Sequence, residues 1–213
     1  MEELNGIEVL VHSSIRIDKG KIIYIDPFKI NKNYNDADLI LCTHSHYDHF
    51  SPEDIKKVMK ENTMILVTED AFEDAKEIGF IEENIVKVKP YEEYDFFGID
   101  IETIPAYNKH KEFHPKEKNW VGYVLEIDEV RYYIAGDTDC TKEASNVECD
   151  VAFLPVGGTY TMDYIEAASL ATKINPKYVI PTHYGSIVGN KEDGELFKNS
   201  LSKKIKCELL LKN

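Results

Sequence analysis

Cysteine is scarce, and what there is does not form a framework: the 4 cysteines are Cys42, Cys140, Cys149 and Cys207, with no C-x-x-C spacing among them. That excludes a disulfide scaffold and a thiolate zinc site, and leaves reduced thiols in or near a core. Long apolar runs are absent, and the start Met1-Glu2-Glu3 lacks the basic and then apolar order of a secretory signal. The expectation is a soluble cytoplasmic protein with no membrane partner. Positive charge is in deficit, with 25 Lys plus Arg against 39 Asp plus Glu and a formal charge of -14. Such a field repels nucleic acid and anionic lipid. Linkers rich in Gly/Ser or Pro are missing, as are internal repeats, so the 213 residues read as a single domain, 1–213. Hydrophobic residues at 43%, with 13 Tyr and 9 Phe, are enough for a sizeable core.

Periodicity gives alternating strands and helices. Short strands are expected over Ile7 to Val11, Ser14 to Asp18, Lys21 to Asp26 and Asp38 to Cys42. Ser51-Pro52-Glu53-Asp54 opens a helix to about Glu61, with Ser51 as cap and Pro52 in the first turn. Met64 to Val67 reads as a strand, Thr68 as the cap of a helix through Ile78, and Gly79 as its stop. Strands follow at Asn84 to Val88, Gly98 to Ile104, Trp120 to Ile127 and Val130 to Ala135, the last two joined by a tight Asp128-Glu129 hairpin. The final third alternates again: strand Asp150 to Leu154, helix Met162 to Ile174 capped by Thr161, strand Lys177 to Pro181, helix Glu192 to Asn199, strand Ile205 to Leu211. This is a layered α/β architecture.

Chemistry concentrates after the apolar run ending at Cys42. Thr43-His44-Ser45-His46-Tyr47-Asp48-His49-Phe50 carries three of the chain's 7 histidines. Imidazoles and a carboxylate are preferred ligands of zinc and similar divalent ions, and a loop at a strand end can aim several at one point. In an extended segment His44 and His46 share a face while Ser45 turns away. Asp48 and His49 point elsewhere and suit a second ion beside the first. The polar stretch Ala106 to Asn119, with Lys109, Lys111, Lys116 and Lys118 around His110 and His114, is locally basic in an acidic chain and long enough to be functional.

The pattern H-x-H-x-D-H after a strand resembles the signature of the metallo-beta-lactamase superfamily. Ala135-Gly136-Asp137-Thr138 resembles its later Gly-Asp-Thr turn, and Thr182-His183-Tyr184-Gly185 its final histidine after a strand. The resemblance runs from about Ile7 to Gly185. It implies a four-layer αββα sandwich, two divalent metal ions (zinc first, manganese or iron as alternatives), and the ligand set His44, His46, Asp48, His49, Asp137 and His183. Asp137 would bridge the ions. Leu154 to Asp163 resembles the glycine loop and helix start of the group containing ascorbate-phosphate lactonases and a phospholipase D. That group supplies another histidine from Pro-Ala-x-His, where this chain reads Pro105-Ala106-Tyr107-Asn108. Asn108 leaves open a weakened site, a site for a harder ion, or replacement by His110 or His114, of which His114-Pro115-Lys116 favours His114. The resemblance implies hydrolysis by an activated water that Asp48 orients, with Asn108, His114, Lys116 and Tyr184 as substrate contacts. A small anionic phosphoester or lactone is the expected substrate, and a non-catalytic metal- or metabolite-binding member of the fold is the alternative.

Overall fold

A computed structural model describes residues 2–211. The chain forms two compact units, one ending at Lys89 and the other beginning at Pro90.

The first unit holds one sheet of six strands in sequence order: β1 (Ile7–Val11), β2 (Ser14–Asp18), β3 (Ile22–Ile25), β4 (Leu39–Leu41), β5 (Met64–Thr68) and β6 (Ile85–Val88). β1 to β3 form an antiparallel meander, and β3 to β6 run parallel. Parallel neighbours need crossovers, made by the irregular segment 26–38 between β3 and β4 and by the helices α1 (Pro52–Val58) and α2 (Phe72–Ile78) between the next two pairs. Their Ile55, Val58, Ala75 and Ile78 pack on Tyr24, Ile40, Ile65 and Val67, one face of the sheet. The alternate residues Ile23, Ile25, Leu39, Leu41 and Leu66 are equally buried, which is why the central strands read as unbroken apolar runs.

Helix α1 starts as expected, with Ser51 Oγ accepting the Asp54 N–H, but it stops at Val58 rather than near Glu61. Lys60 N donates to Thr63 Oγ1 at 2.8 Å, and that hydroxyl donates to the Ala37 carbonyl at 2.6 Å, so side-chain bonding to the backbone ends the helix early. Thr68 does not cap α2. Its hydroxyl donates to Asp70, and a 3-10 turn, Glu69–Ala71, intervenes before the helix.

The second unit holds seven strands: β7 (Glu93–Phe96), β8 (Ile99–Pro105), β9 (Val121–Ile127), β10 (Val130–Ile134), β11 (Val151–Pro155), β12 (Tyr178–Thr182) and β13 (Lys206–Cys207). The spatial order again follows the chain, antiparallel from β7 to β10 and parallel from β10 to β13. Helices α3 (Tyr164–Ile174) and α4 (Asp193–Ser200) cross between β11, β12 and β13. Ala167, Leu170, Ala171 and Phe197 share a core with Tyr133, Ala152, Leu154 and Val179. Asp128 and Glu129, with φ of 52° and 62°, form the tight hairpin between β9 and β10.

Sequence periodicity missed β7, whose residues Glu93-Tyr94-Asp95-Phe96 alternate exposed and half-buried at the sheet edge. The final strand is two residues rather than seven. Helix α3 begins later than Met162, because Asp163 caps it through the N–H groups of Ile165 and Glu166 while Glu166 closes the box; the Thr161 hydroxyl donates instead to the Met162 carbonyl.

In both units the polar clusters leave the carboxyl ends of parallel strands, where open α/β sheets place their ligands. Asp26 and Thr43 follow β3 and β4; Asp137, Gly157 and His183 follow β10, β11 and β12.

Candidate metal centre

Asp26 organises the cluster of the first unit. It turns in at the end of β3 with φ 46° and is 1% exposed. Its Oδ1 accepts the Thr43 N–H at 2.8 Å, and its Oδ2 accepts the Thr43 hydroxyl at 2.8 Å and His49 Nδ1 at 2.7 Å. Burial pushes this carboxyl above its ordinary value, against the pull of His49 and Thr43. Because the single Thr43 hydroxyl proton goes to Asp26, its oxygen accepts from His44 Nδ1, 3.0 Å away. One carboxylate therefore orients two histidines: His49 and His44 both place a proton on Nδ1 and turn Nε2 toward the other ligand-type atoms.

His44 Nε2 meets His46 Nδ1 at 3.0 Å, close to the roughly 3.3 Å between two nitrogens on one tetrahedral zinc. Ser45 turns away and donates to Asp70 at 2.9 Å. Asp48 Oδ2 lies 3.7 Å from His49 Nε2 and 3.1 Å from Nε2 of His12, a wholly buried residue in the β1–β2 turn with φ 56°. His12, Asp48 and His49 each offer a ligand-type atom within 4.8 Å of the others. Sequence reasoning missed both Asp26 and His12. The only available signal was a polar residue at the end or turn of an apolar strand.

In the second unit Asp137 stands between two histidines. Its Oδ2 is 3.0 Å from Nε2 of His183, which follows β12 with φ 58°, and 3.2 Å from Nε2 of His114. Gly157 is required beside them, since a Cβ there would come within 2.1 Å of the His183 carbonyl. His114 arrives from the long polar loop and is 1% exposed, whereas His110 is exposed. Asn108 contacts His114 rather than standing alone, with Oδ1 accepting the His114 N–H at 3.1 Å.

The other two residues expected at the substrate are engaged elsewhere. Lys116 Nζ pairs with Glu143 at 2.8 Å and reaches the Tyr107 hydroxyl at 3.4 Å. The ammonium holds Glu143 down at about 2. Tyr184 lies in the apolar core with its ring against Gly194, and burial pushes its hydroxyl up to about 12. Lys111 is also committed, to Asp139 at 2.8 Å.

These donors are imidazole nitrogens and carboxylate oxygens, a set that fits zinc, manganese or iron. Thiolate is not among them: burial pushes the Cys42 thiol well above its ordinary value.

A family model described as a beta-lactamase superfamily domain matches residues 6–183, across both units. The chain belongs to the beta-lactamase superfamily. A UPF0173 metal-dependent hydrolase of Pyrococcus furiosus is 30% identical over 222 residues, covering 96% of this chain and 95% of the relative. One of Caldivirga maquilingensis is 33% identical, covering 89% and 86%. A solved structure from Parabacteroides distasonis matches with a TM-score of 0.81 and 31% identity over 96% of this chain and 91% of its own. With these relatives the chain is a metal-dependent hydrolase, and it has the α/β metallo-beta-lactamase fold, the fold class expected from its sequence. Among the described residues no helix is long and apolar enough to cross a membrane.

Proposed function

We propose that this superfamily member hydrolyses a small phosphoester or lactone at a binuclear centre, with His44, His46, Asp48, His49, Asp137 and His183 as ligands and zinc as the first choice of metal. The observation that carries this reading is the fixed tautomer set: imidazoles whose Nδ1 protons are occupied by Asp26 and Thr43 have only their Nε2 lone pairs to offer. Bound divalent ions would lower the pKa of water toward neutrality and polarise the group under attack. Asp48, steadied by His12, orients the attacking water and takes up its proton, and Asp137 offsets the positive charge gathered around it. His114 serves as the loop's contribution, in the role the resemblance gives to a histidine at position 108.

For the substrate, the ion pairs of Lys111 and Lys116 matter. Both cations are paired with carboxylates within their own unit, which leaves Lys109, His110 and Lys118 as the loop's other exposed basic groups. That weakens the attraction for a phosphate dianion and favours the lactone within the class. The reading keeps one functional domain across residues 1–213 and a cytoplasmic enzyme with no nucleic-acid or membrane partner, supported by the formal charge of -14.

The test is a panel of phosphomonoesters, phosphodiesters and lactones, assayed with zinc- and manganese-loaded protein. Lactone or phosphoester turnover that Asp48→Ala removes, with circular dichroism unchanged, is the expected result. An Asp48→Ala variant that retains turnover, or activity confined to neutral thioesters and beta-lactams, defeats the reading. Folded, metal-loaded protein inert on the whole panel defeats the phosphoester or lactone assignment.

A further inference from the structure

Asn108 occupies the position where the resemblance expects an imidazole, and its amide is oriented without ambiguity. Nδ2 faces two groups that only accept, Asp139 Oδ1 at 3.0 Å and the Tyr160 carbonyl at 3.0 Å. Oδ1 therefore turns to His114, where it accepts the backbone N–H and meets Nδ1 at 2.9 Å. An amide oxygen cannot donate, so Nδ1 carries a proton and Nε2 is the ring nitrogen turned to Asp137. The Asn108 N–H in turn donates to the His114 carbonyl at 2.8 Å, which closes the loop on itself.

Behind the amide stands an ion pair whose carboxylate is buried and whose lysine is half-buried. Asp139, 2% exposed, accepts from Lys111 Nζ at 2.8 Å, from Asn108 Nδ2, and from the Lys109 N–H at 2.8 Å. Every bond in the chain has one polarity: His114 donates to Asn108, and Asn108 and Lys111 donate to Asp139. A buried carboxylate with several donors polarises the bonds that feed it. With Oδ1 committed to two N–H groups of His114, Asn108 is not arranged to ligate an ion itself.

We propose that Asn108, backed by Asp139 and Lys111, is a positioning residue that holds His114 as an Nε2 metal ligand. The chain thus places its imidazole six residues beyond position 108 and uses the amide at 108 to aim it. This rests on the reading of His114 as a ligand in the proposed centre. Support of this kind, in which a ligand histidine gives its other N–H to a neighbouring group, is worth about 10–100-fold in metal affinity.

The experiment has two readouts on the full chain. Long-range proton–nitrogen correlation spectra of metal-free protein, recorded about two units above the ordinary imidazole pKa, report the His114 tautomer directly. The Nδ1–H form is expected, and an Nε2–H form overturns the proposal without any variant being made. Zinc(II) affinity, measured by competition with a chromophoric chelator, is then compared for wild type, Asn108→Leu and His114→Ala. Asn108→Leu should bind about 10–100-fold more weakly and show mixed tautomers. Unchanged affinity in Asn108→Leu, alongside weakened binding in His114→Ala, overturns the proposal alone. Unchanged affinity in His114→Ala removes the ligand reading itself, and the proposal with it.

Discussion

In the first unit a buried carboxylate touches the imidazole it orients, Asp26 Oδ2 to His49 Nδ1 at 2.7 Å. In the second an amide stands between, with Asn108 Oδ1 2.9 Å from His114 Nδ1 and Asp139 behind it. Both arrangements place a proton on Nδ1 and turn Nε2 toward a carboxylate, Asp48 or Asp137. They differ in charge: Asp26 sets a formal negative charge against the ring, whereas Asn108 passes on only the polarisation of a carboxylate one bond further away. The first arrangement also serves two rings through Thr43, and the second serves one. Direct contact gives the more basic ligand, and the relay gives reach, letting a loop histidine be aimed from a residue six positions earlier.

The largest expected effect tests what both clusters are for. Asp48→Ala should cost about 10²–10⁴-fold in turnover, the range for losing a positioned proton acceptor, in steady-state assays on the metal-loaded protein. Next comes the contrast between direct and relayed support. Asp26→Asn can keep an acceptor toward the Thr43 N–H, but it then sets an amide donor against His49 Nδ1 and the Thr43 hydroxyl, opposing both tautomers at once. Zinc(II) affinity should fall by close to the upper end of about 10–100-fold, and further than in Asn108→Leu. Equal losses in the two variants would mean that the formal charge adds nothing to hydrogen-bond direction.

The same contrast explains what could be read from the sequence. His44, His46, Asp48 and His49 lie on one short loop after an unbroken apolar strand, so spacing alone brought them to notice. Their supports do not advertise themselves. His12 is 36 residues from Asp48 and Asp26 is 23 from His49, and each is a lone polar residue whose purpose exists only in the folded chain. Lys111 and Lys116 make a basic loop in sequence, and in the structure they pair with Asp139 and Glu143. Among the elements, apolar runs located the buried strands. The polar edge strand β7 and the early end of α1 were not legible, because pairing to β8 and a Thr63 hydroxyl bond decide them rather than periodicity.

The smallest expected effects compare helix caps across the two units. Asp163 accepts only from its own helix, α3, through the N–H groups of Ile165 and Glu166, at a half-exposed site. Asp163→Ala should cost about 1 kcal/mol of unfolding free energy. Asp54, 5% exposed, sits inside the first turn of α1 and accepts the N–H groups of Lys29 and Ile30 from a different segment. Asp54→Ala leaves those donors unmatched in a buried place and should cost more, about 1–3 kcal/mol by urea unfolding. The second loss depends on pH. Burial alone would push the Asp54 carboxyl up, but Lys57, Ser51 and the two N–H groups together hold it below its ordinary value. A folded-state value below the unfolded one means stability present above the unfolded pKa and lost as pH falls through the folded one. The gap between wild type and Asp54→Ala should therefore hold steady above about pH 5 and narrow on acidification below about pH 4. A gap that widens with acid would show that Asp54 is protonated in the folded protein and acts as a hydrogen-bond donor rather than as the charged anchor of the loop on α1.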